Sequence, residues 1–354
     1  MKKLKIVFCI PLVVTIFTAC SKKESPAPSP PPAKGPALYV TGSIDNVATY
    51  WRNGVAVDLV GSSSSRGAAN AVAVAGNDVY VAGWVYNGTH KVAAYWKNGK
   101  EVNLSDGSSD AQATAIAVAG NDVHTAGWVY NGTHDVAAYW KNGTQVNLSD
   151  GNSEAQAVGI AVAGSDVYVA GTVDDAITYW KNGIAVTFTD PDYGYVILGQ
   201  TYGIAVAGSD IYVVGYVQGQ GPTYWKNGNA VGLGPDGPLH ELYNTSEALA
   251  IAVVDSDVYV AGYISDGLSN GSIYGRYAVA SYWKNGTRVK LSDGKSTAKA
   301  TGIAVAGSDV YVAGYISNAS NSSDTQAVYW KNGTAISLGD RGYQGVMATG
   351  IVFQ

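Results

Sequence analysis

Tyr95-Trp96-Lys97-Asn98-Gly99 is one of seven copies of a single phrase, Tyr-Trp-Lys/Arg-Asn-Gly. The others begin at Tyr50, Tyr139, Tyr179, Tyr224, Tyr282 and Tyr329. From Trp51 to Trp330 the copies are spaced by 45, 44, 40, 45, 58 and 47 residues. A unit of that length, recurring so often, indicates a ring or stacked array of one supersecondary unit. Working outward from the phrase, each unit resolves into four short segments. An Ala-rich segment A (Ala71–Ala75, Ile116–Ala119, Ile160–Ala163) is followed by segment B (Val79–Gly83 and its counterparts). The phrase itself ends segment C, and a short segment D follows, as in Val102-Asn103-Leu104. Val, Ile, Tyr and Trp dominate all four, and Gly, Asn, Asp and Ser punctuate them, which is the pattern of strands and tight turns. The Asn-Gly of each phrase is a strong hairpin signal, because both central residues of that turn take positive φ. Each unit is therefore expected to be a four-stranded antiparallel meander.

Segments A and B are apolar at both parities. A sheet with one wet face would alternate, so both faces are expected to be covered by neighbouring sheets. The small side chains of A suit the innermost strand, where sheets crowd round an axis. The first unit starts at Leu38–Gly42, which matches B, and Ala348–Phe353 matches A. A C-terminal A strand completing an N-terminal B-C-D unit would close a ring and remove free edges, whereas a linear solenoid would need capping repeats. The expected fold is all-β: a seven-bladed β-propeller of four-stranded antiparallel blades over residues 37–354. In strand order, in the Gly that ends B and in the aromatic on C, the blades resemble kelch-type propellers. They depart from them in ending B with Ala-Gly rather than Gly-Gly, and in setting Tyr beside Trp. The Trp-x-Asn-Gly core also resembles bacterial extracellular repeat families.

The N-terminal region reads differently. Met1–Lys5 is basic and Ile6–Ala19 is apolar, too short for the roughly 20 residues that span a bilayer; residues 1–20 read as a secretory signal. Phe17-Thr18-Ala19-Cys20 resembles the lipobox of bacterial lipoproteins, with Phe17 where that family has Leu. The resemblance implies lipidation at Cys20 and an exported protein anchored to the envelope, with the outer membrane the expected site. Cys9 and Cys20 are the only cysteines, so no disulfide is expected in the fold. Residues 21–36 are proline-rich and read as an extended linker. The net charge is −5, and no basic run follows the leader, which argues against nucleic acid as a partner.

Features common to all units are explained by the scaffold. The Tyr-Trp pairs are read as blade packing, and the Asp that opens each B segment (Asp78, Asp122 and equivalents) as a turn residue bonding its own backbone. Function is expected where units differ. The A-B and C-D turns share one face and are uniform; the B-C and D-A loops share the other and vary. The longest variable loops are Ser265–Tyr277, Ser317–Gln326, Asp190–Thr201 and Gly234–Glu247. Candidate binding residues on that face are Trp84, Tyr86, Trp128 and Tyr130, which flank the loops carrying His90 and His134. Tyr216, Tyr263 and Tyr315 stand where Trp84 stands in its unit. Asp174 and Asp175 form an acidic turn, and Tyr193, Tyr195, His240, Tyr243, Tyr274 and Arg276 lie in long loops. Aromatics with few charges suit a glycan or peptide surface. No catalytic residue, cofactor or metal site is expected: the four histidines include a packed His124, and no nucleophile motif is present. The expected function is a monomeric, lipid-anchored, non-enzymatic module binding a protein or glycan. The alternatives are a polysaccharide lyase or glycoside hydrolase on the same face, and a purely structural envelope protein.

Overall fold

The computed structural model describes residues 36–59, 66–234, 246–265, 277–318, 321–339 and 345–354. Cys20, Arg276, His240, Tyr243 and Tyr274 lie outside the described residues. Among the described residues all regular structure is β: twenty-eight strands form seven four-stranded antiparallel sheets. Six sheets take their strands in chain order, A to D. The seventh, here blade 1, places Met347–Phe353 beside Leu38–Ile44, then Val47–Arg52 and Val55–Asp58. Leu38 pairs with Phe353 and Val40 with Ile351, so the two ends of the propeller share one sheet. The A strand of each blade touches the A strands of both neighbours, including blade 1 against blades 2 and 7. The ring is closed, and the chain is a seven-bladed β-propeller.

Seven apolar clusters fill the seven blade interfaces. In each, the phrase Trp is fully buried against the preceding blade: Trp140 among Tyr80, Ala82 and Ala93, Trp225 among Tyr168, Ala170 and Ile177, and Trp51 against Tyr311, Ala313 and Leu338 at the closure. The A strands are covered less completely than their apolar sequence suggests. Ala69, Ala113 and Ala157 are wholly buried, but Ala71–Ala75 and the last three residues of the equivalent strands at Ala117–Ala119, Ala161–Ala163, Ala205–Ala207 and Ala304–Ala306 are only half-buried, because the innermost strands diverge around the axis.

The turns explain the rest of the phrase. Asn98 and Gly99 both take positive φ, 52° and 80°, in the two-residue connection that pairs Lys97 with Lys100. Asn98 Oδ1 accepts the Val79 amide at 2.9 Å, and its Nδ2 donates to Asp78 Oδ1 at 2.8 Å. Lys97 Nζ lies 2.9 Å from Asp78 Oδ2 and 5.1 Å above the Tyr80 ring. The recurrent Asp therefore does not close on its own backbone, as its turn position suggests. It clasps the C-D turn of its own blade, and the same Asp–Asn bond recurs at Asp122, Asp166, Asp210, Asp257 and Asp309.

Each A strand carries a β-bulge, at Asn70, Thr114, Val158, Tyr202, Leu249, Thr301 and Thr349. A bulge leaves one residue unpaired and re-aims its side chain. Here it also brings a backbone carbonyl against strand B, where a Cβ on Gly127 would collide with the Gln112 carbonyl. That collision explains the Gly that recurs in B. Four bulge side chains reach the next blade: Asn70 donates to the Ala113 carbonyl, Thr114 to Ala157, Thr301 to Ala348 and Thr349 to Ala69, at 2.7–2.8 Å. This inner belt of hydrogen bonds runs through blades 7, 1, 2, 3 and 4. At blades 4, 5 and 6 the bulge residues are Val158, Tyr202 and Leu249, and Val and Leu have no donor to continue it.

One expected loop is strand instead. Ser317, Asn318 and residues 321–326 extend the B-C hairpin of blade 7, with Ile316 opposite Gln326 and Ser317 opposite Thr325. The register of the apolar hairpin below carries the pairing as far as Ser317 and then shifts, so that Asn318 faces Asn321.

Candidate functional site

The B-C/D-A face holds three groups of residues. The first ties loops together. In blade 2, Asn87 Oδ1 accepts the Thr89 and His90 amides, its Nδ2 donates to the Gly107 carbonyl, and His90 Nδ1 lies 3.5 Å from Asp110. Blade 3 repeats this with Asn131, Gly151, and His134 at 3.8 Å from Glu154. Asn87 and Asn131 clasp these loops, and each histidine stands beside an acid. The aromatic candidates beside them have neighbours of their own: Lys91 Nζ lies over Trp84 at 4.9 Å, Arg66 over Tyr86 at 5.4 Å, and Tyr130 donates to the Gly132 carbonyl at 2.9 Å. Trp128 is half-buried opposite Gln112.

The second group is a cleft of about 420 Å³ between blades 4 and 5, lined by Glu154, Gln156, Thr172, Asp174, Asp175 and Gln200. Asp174 and Asp175 form the B-C turn of blade 4, both at positive φ (47° and 61°), a conformation that Asp tolerates better than most residues. Asp175 Oδ1 accepts from Gln200 Nε2 at 2.9 Å, and its carbonyl accepts the Gly199 amide. That bond attaches the cleft to the D-A loop that follows blade 4. Asp190 there accepts the Asp192 and Tyr193 amides, and Thr189 bridges to Val196, so the loop is a small hairpin. It presents Tyr193 and Tyr195, 75% and 73% exposed, stacked on each other with centroids 6.2 Å apart and planes within 15°. Exposed Val196 and Leu198 continue the apolar surface toward the cleft. At the opposite margin, Gln156 Nε2 donates to Asp135 at 2.6 Å. Burial first, and the neighbouring Glu154 charge as well, raise the Asp135 carboxyl above the ordinary carboxylate range.

The third group surrounds Glu247, the first residue in the A strand of blade 6, two before the bulge. Tyr263 pairs opposite Glu247, and the Glu247 charge acts on Tyr263, on Tyr202, the bulge residue of blade 5, and on Tyr315 of blade 7. Tyr216 of blade 5 pairs opposite Gln200 and acts in turn on Tyr202. Burial is the main reason that Tyr202, Tyr263 and Tyr315 have pKa values raised above the ordinary phenol value, and the Glu247 charge adds to it. All three are neutral hydroxyls at physiological pH. Tyr263 is 3% exposed and forms the floor, while Lys299 Nζ sits 4.1 Å over its ring. Glu247, Tyr202, Tyr216, Tyr315 and Lys299 are half-buried.

The structure thus places Tyr216, Tyr263 and Tyr315 on the consecutive blades 5, 6 and 7, Asp174 in the cleft and Tyr193 on the loop after blade 4, while Trp84, Tyr86, Trp128, Tyr130, His90 and His134 lie on blades 2 and 3. Sequence reasoning passed over Glu247, Tyr202, Lys299, Gln156 and Gln200. Their signal was present. The A position two before the bulge reads Ala68, Gln112, Gln156, Gln200, Glu247, Lys299 and Met347, and the bulge position is equally varied, within a strand otherwise uniform. Among the described residues, no three His, Cys, Asp or Glu side chains converge as metal ligands.

No family model and no curated protein matches the chain. Among solved structures, the computationally designed Ika8 protein is similar at 16% identity, covering 88% of this chain and 79% of that one with a TM-score of 0.44. An α-L-arabinofuranosidase from Clostridium thermocellum is similar at 13% identity, covering 65% of this chain and 94% of that one with a TM-score of 0.32. At these values neither likeness carries a functional argument.

Proposed function

We propose that this propeller is a non-enzymatic binding module, anchored to the cell envelope through Cys20, that holds a glycan on its B-C/D-A face. The observation that carries the reading is the cleft between blades 4 and 5 together with an exposed, stacked tyrosine pair on the loop that leads into its Gln200 wall. Planar amides and carboxylates (Gln156, Gln200, Asp174 and Asp175) offer donors and acceptors in fixed directions, which suit the hydroxyl pairs of a sugar. Tyr193 and Tyr195 offer flat apolar faces, which suit the C–H face of a pyranose, and their side chains give up little entropy on binding.

The hydrolase alternative rests on Asp135 and Glu154, one carboxyl raised by burial beside the other. Its partner is already engaged: Glu154 Oε2 accepts the Asp135 backbone amide at 3.2 Å, whereas a glycosidase carboxyl pair stands roughly 5–9.5 Å apart with a sugar carbon or a water between. A glycan array followed by calorimetry tests the binding reading. Tyr193→Ala with Tyr195→Ala is expected to weaken binding by about tenfold, corresponding to ~1.4 kcal/mol. Unchanged affinity in that variant would remove the site assignment, and cleavage products from a bound glycan would replace binding with catalysis.

A further inference from the structure

The propeller is least regular at blades 4 to 6, where the inner belt of hydrogen bonds lapses, and its one half-buried inner-strand carboxylate stands there. The Glu247 carboxylate stands opposite Tyr263 on the paired strand, and its charge also acts on the phenols of Tyr202 and Tyr315. Among the described residues no cation lies within ion-pair distance of it. The phenol faces attract cations through their ring quadrupoles. The protein demonstrates this itself: the Lys299 ammonium is seated 4.1 Å over the Tyr263 ring. This group is continuous with the cleft, because Gln200 and Tyr202 lie two residues apart on one strand and Gln200 pairs with Tyr216. Along that line the fixed charges are Glu154, Asp174, Asp175 and Glu247, against Lys299 alone.

We propose that Glu247 and the phenols of Tyr202, Tyr216 and Tyr315 form a subsite for an ammonium group, so that the glycan held by the neighbouring cleft is one bearing free amines, an amino sugar without its N-acetyl group. The proposal rests on the glycan reading above. Glu247 supplies the counter-charge, the half-buried phenols supply cation–π faces and hydroxyl acceptors, and Tyr263 is the floor. Lys299 is the resident cation that a ligand amine must approach, so it opposes binding.

The test is calorimetry on the full chain with two probes of equal length: a hexamer of N-acetylglucosamine and the fully de-N-acetylated hexamer. The wild type is expected to bind the amine form roughly tenfold more tightly, the discrimination worth about one charge-assisted hydrogen bond. Glu247→Gln keeps the shape and is expected to erase that preference, leaving binding of the N-acetylated hexamer unchanged. Lys299→Met removes the resident cation and is expected to tighten binding of the amine form several-fold, an effect that a merely damaged fold could not produce. Equal binding of the two probes, or a preference that survives Glu247→Gln, overturns the amine subsite while the glycan reading stands. Failure of both probes together with a silent glycan array overturns both.

Discussion

Asn98 offers a test of what the repeated phrase does. It has two separable roles: it occupies a positive-φ position (52°), and its side chain holds the Val79 amide at 2.9 Å and Asp78 at 2.8 Å. Asn98→Gly keeps the first role and deletes the second. The Val79 amide then loses its side-chain acceptor, a loss of about 1 kcal/mol, and the flexibility of glycine in the unfolded chain adds about 0.5 kcal/mol. The Asp78 arm is solvent-exposed and adds little. Asn98→Ala deletes the bonds and also forces a Cβ into the left-handed region, which costs about 1 kcal/mol or more. The expected order of urea midpoints is therefore wild type, then Gly, then Ala, with total losses of about 1.5 and 2 kcal/mol. Hydrogen exchange in the peptide containing Val79 is expected to accelerate in both variants. The Asn98 bond is also the main cause that keeps Asp78 below the ordinary carboxylate pKa, ahead of Lys97. A lowered folded-state pKa stabilises above the unfolded value near 3.8 and is lost as pH falls through the folded value. Both variants should accordingly lie closest to wild type at acid pH. Equal midpoints for the Gly and Ala variants would refute the conformational argument. Unchanged exchange at Val79 would refute the hydrogen-bond argument.

Other perturbations separate other parts of the design. His124 stands where other blades carry Tyr; it is 4% exposed with Nδ1 3.0 Å from the Tyr139 hydroxyl, and burial, then Lys141, lowers its pKa below 6.5. Below that pH the unfolded chain takes up a proton that the folded chain resists, so stability should fall from pH 7 to pH 5. His124→Tyr should flatten that slope in urea midpoints measured at both pH values. Gly127→Ala drives a Cβ into the Gln112 carbonyl, and a loss above ~3 kcal/mol, or no soluble protein, is expected on expression and thermal melting. Thr349→Val removes the hydroxyl bonded to the Ala69 carbonyl across the closing interface; about 1 kcal/mol of stability should be lost on thermal melting, whereas Val158, which never made that bond, should tolerate Val158→Thr without loss.

The scaffold was legible in the sequence because its information is local and repeated. Asn98-Gly99 encodes its own turn, Trp96 its own burial, and seven copies count the blades. The inner belt and the Gly that recurs in B were not legible as causes, because both follow from a bulge, and a bulge is a mismatch between two strands rather than a property of either. The candidate site was legible only in part. Tyr193 and Asp174 announce themselves in loops. Glu247 sits in a strand that reads as uniform alanine scaffold, and its partners Tyr202, Tyr263 and Tyr315 come from three blades. They are neighbours only once those blades pack side by side. The strand at Ser317–Asn318 and 321–326 was missed because polar residues pair readily once a hairpin below them sets the register.

The position of the irregularities argues for their use. A repeat protein gains stability by keeping each interface alike, since every unit then benefits from the same optimised contacts. Four blade junctions keep the bulge-to-carbonyl bond, so a Thr or Asn at Val158, Tyr202 and Leu249 is compatible with this fold. Substituting Val, Tyr and Leu forgoes about 1 kcal/mol at each junction. The departures are not scattered around the ring but occupy three consecutive blades. The same arc holds the cleft, the projecting tyrosine hairpin and the Glu247 cluster. Under the binding function proposed above, a ligand that spans neighbouring blades would favour departures gathered in one arc. On that proposal, the stability forgone at those three junctions is the cost of opening one side of the propeller to a ligand.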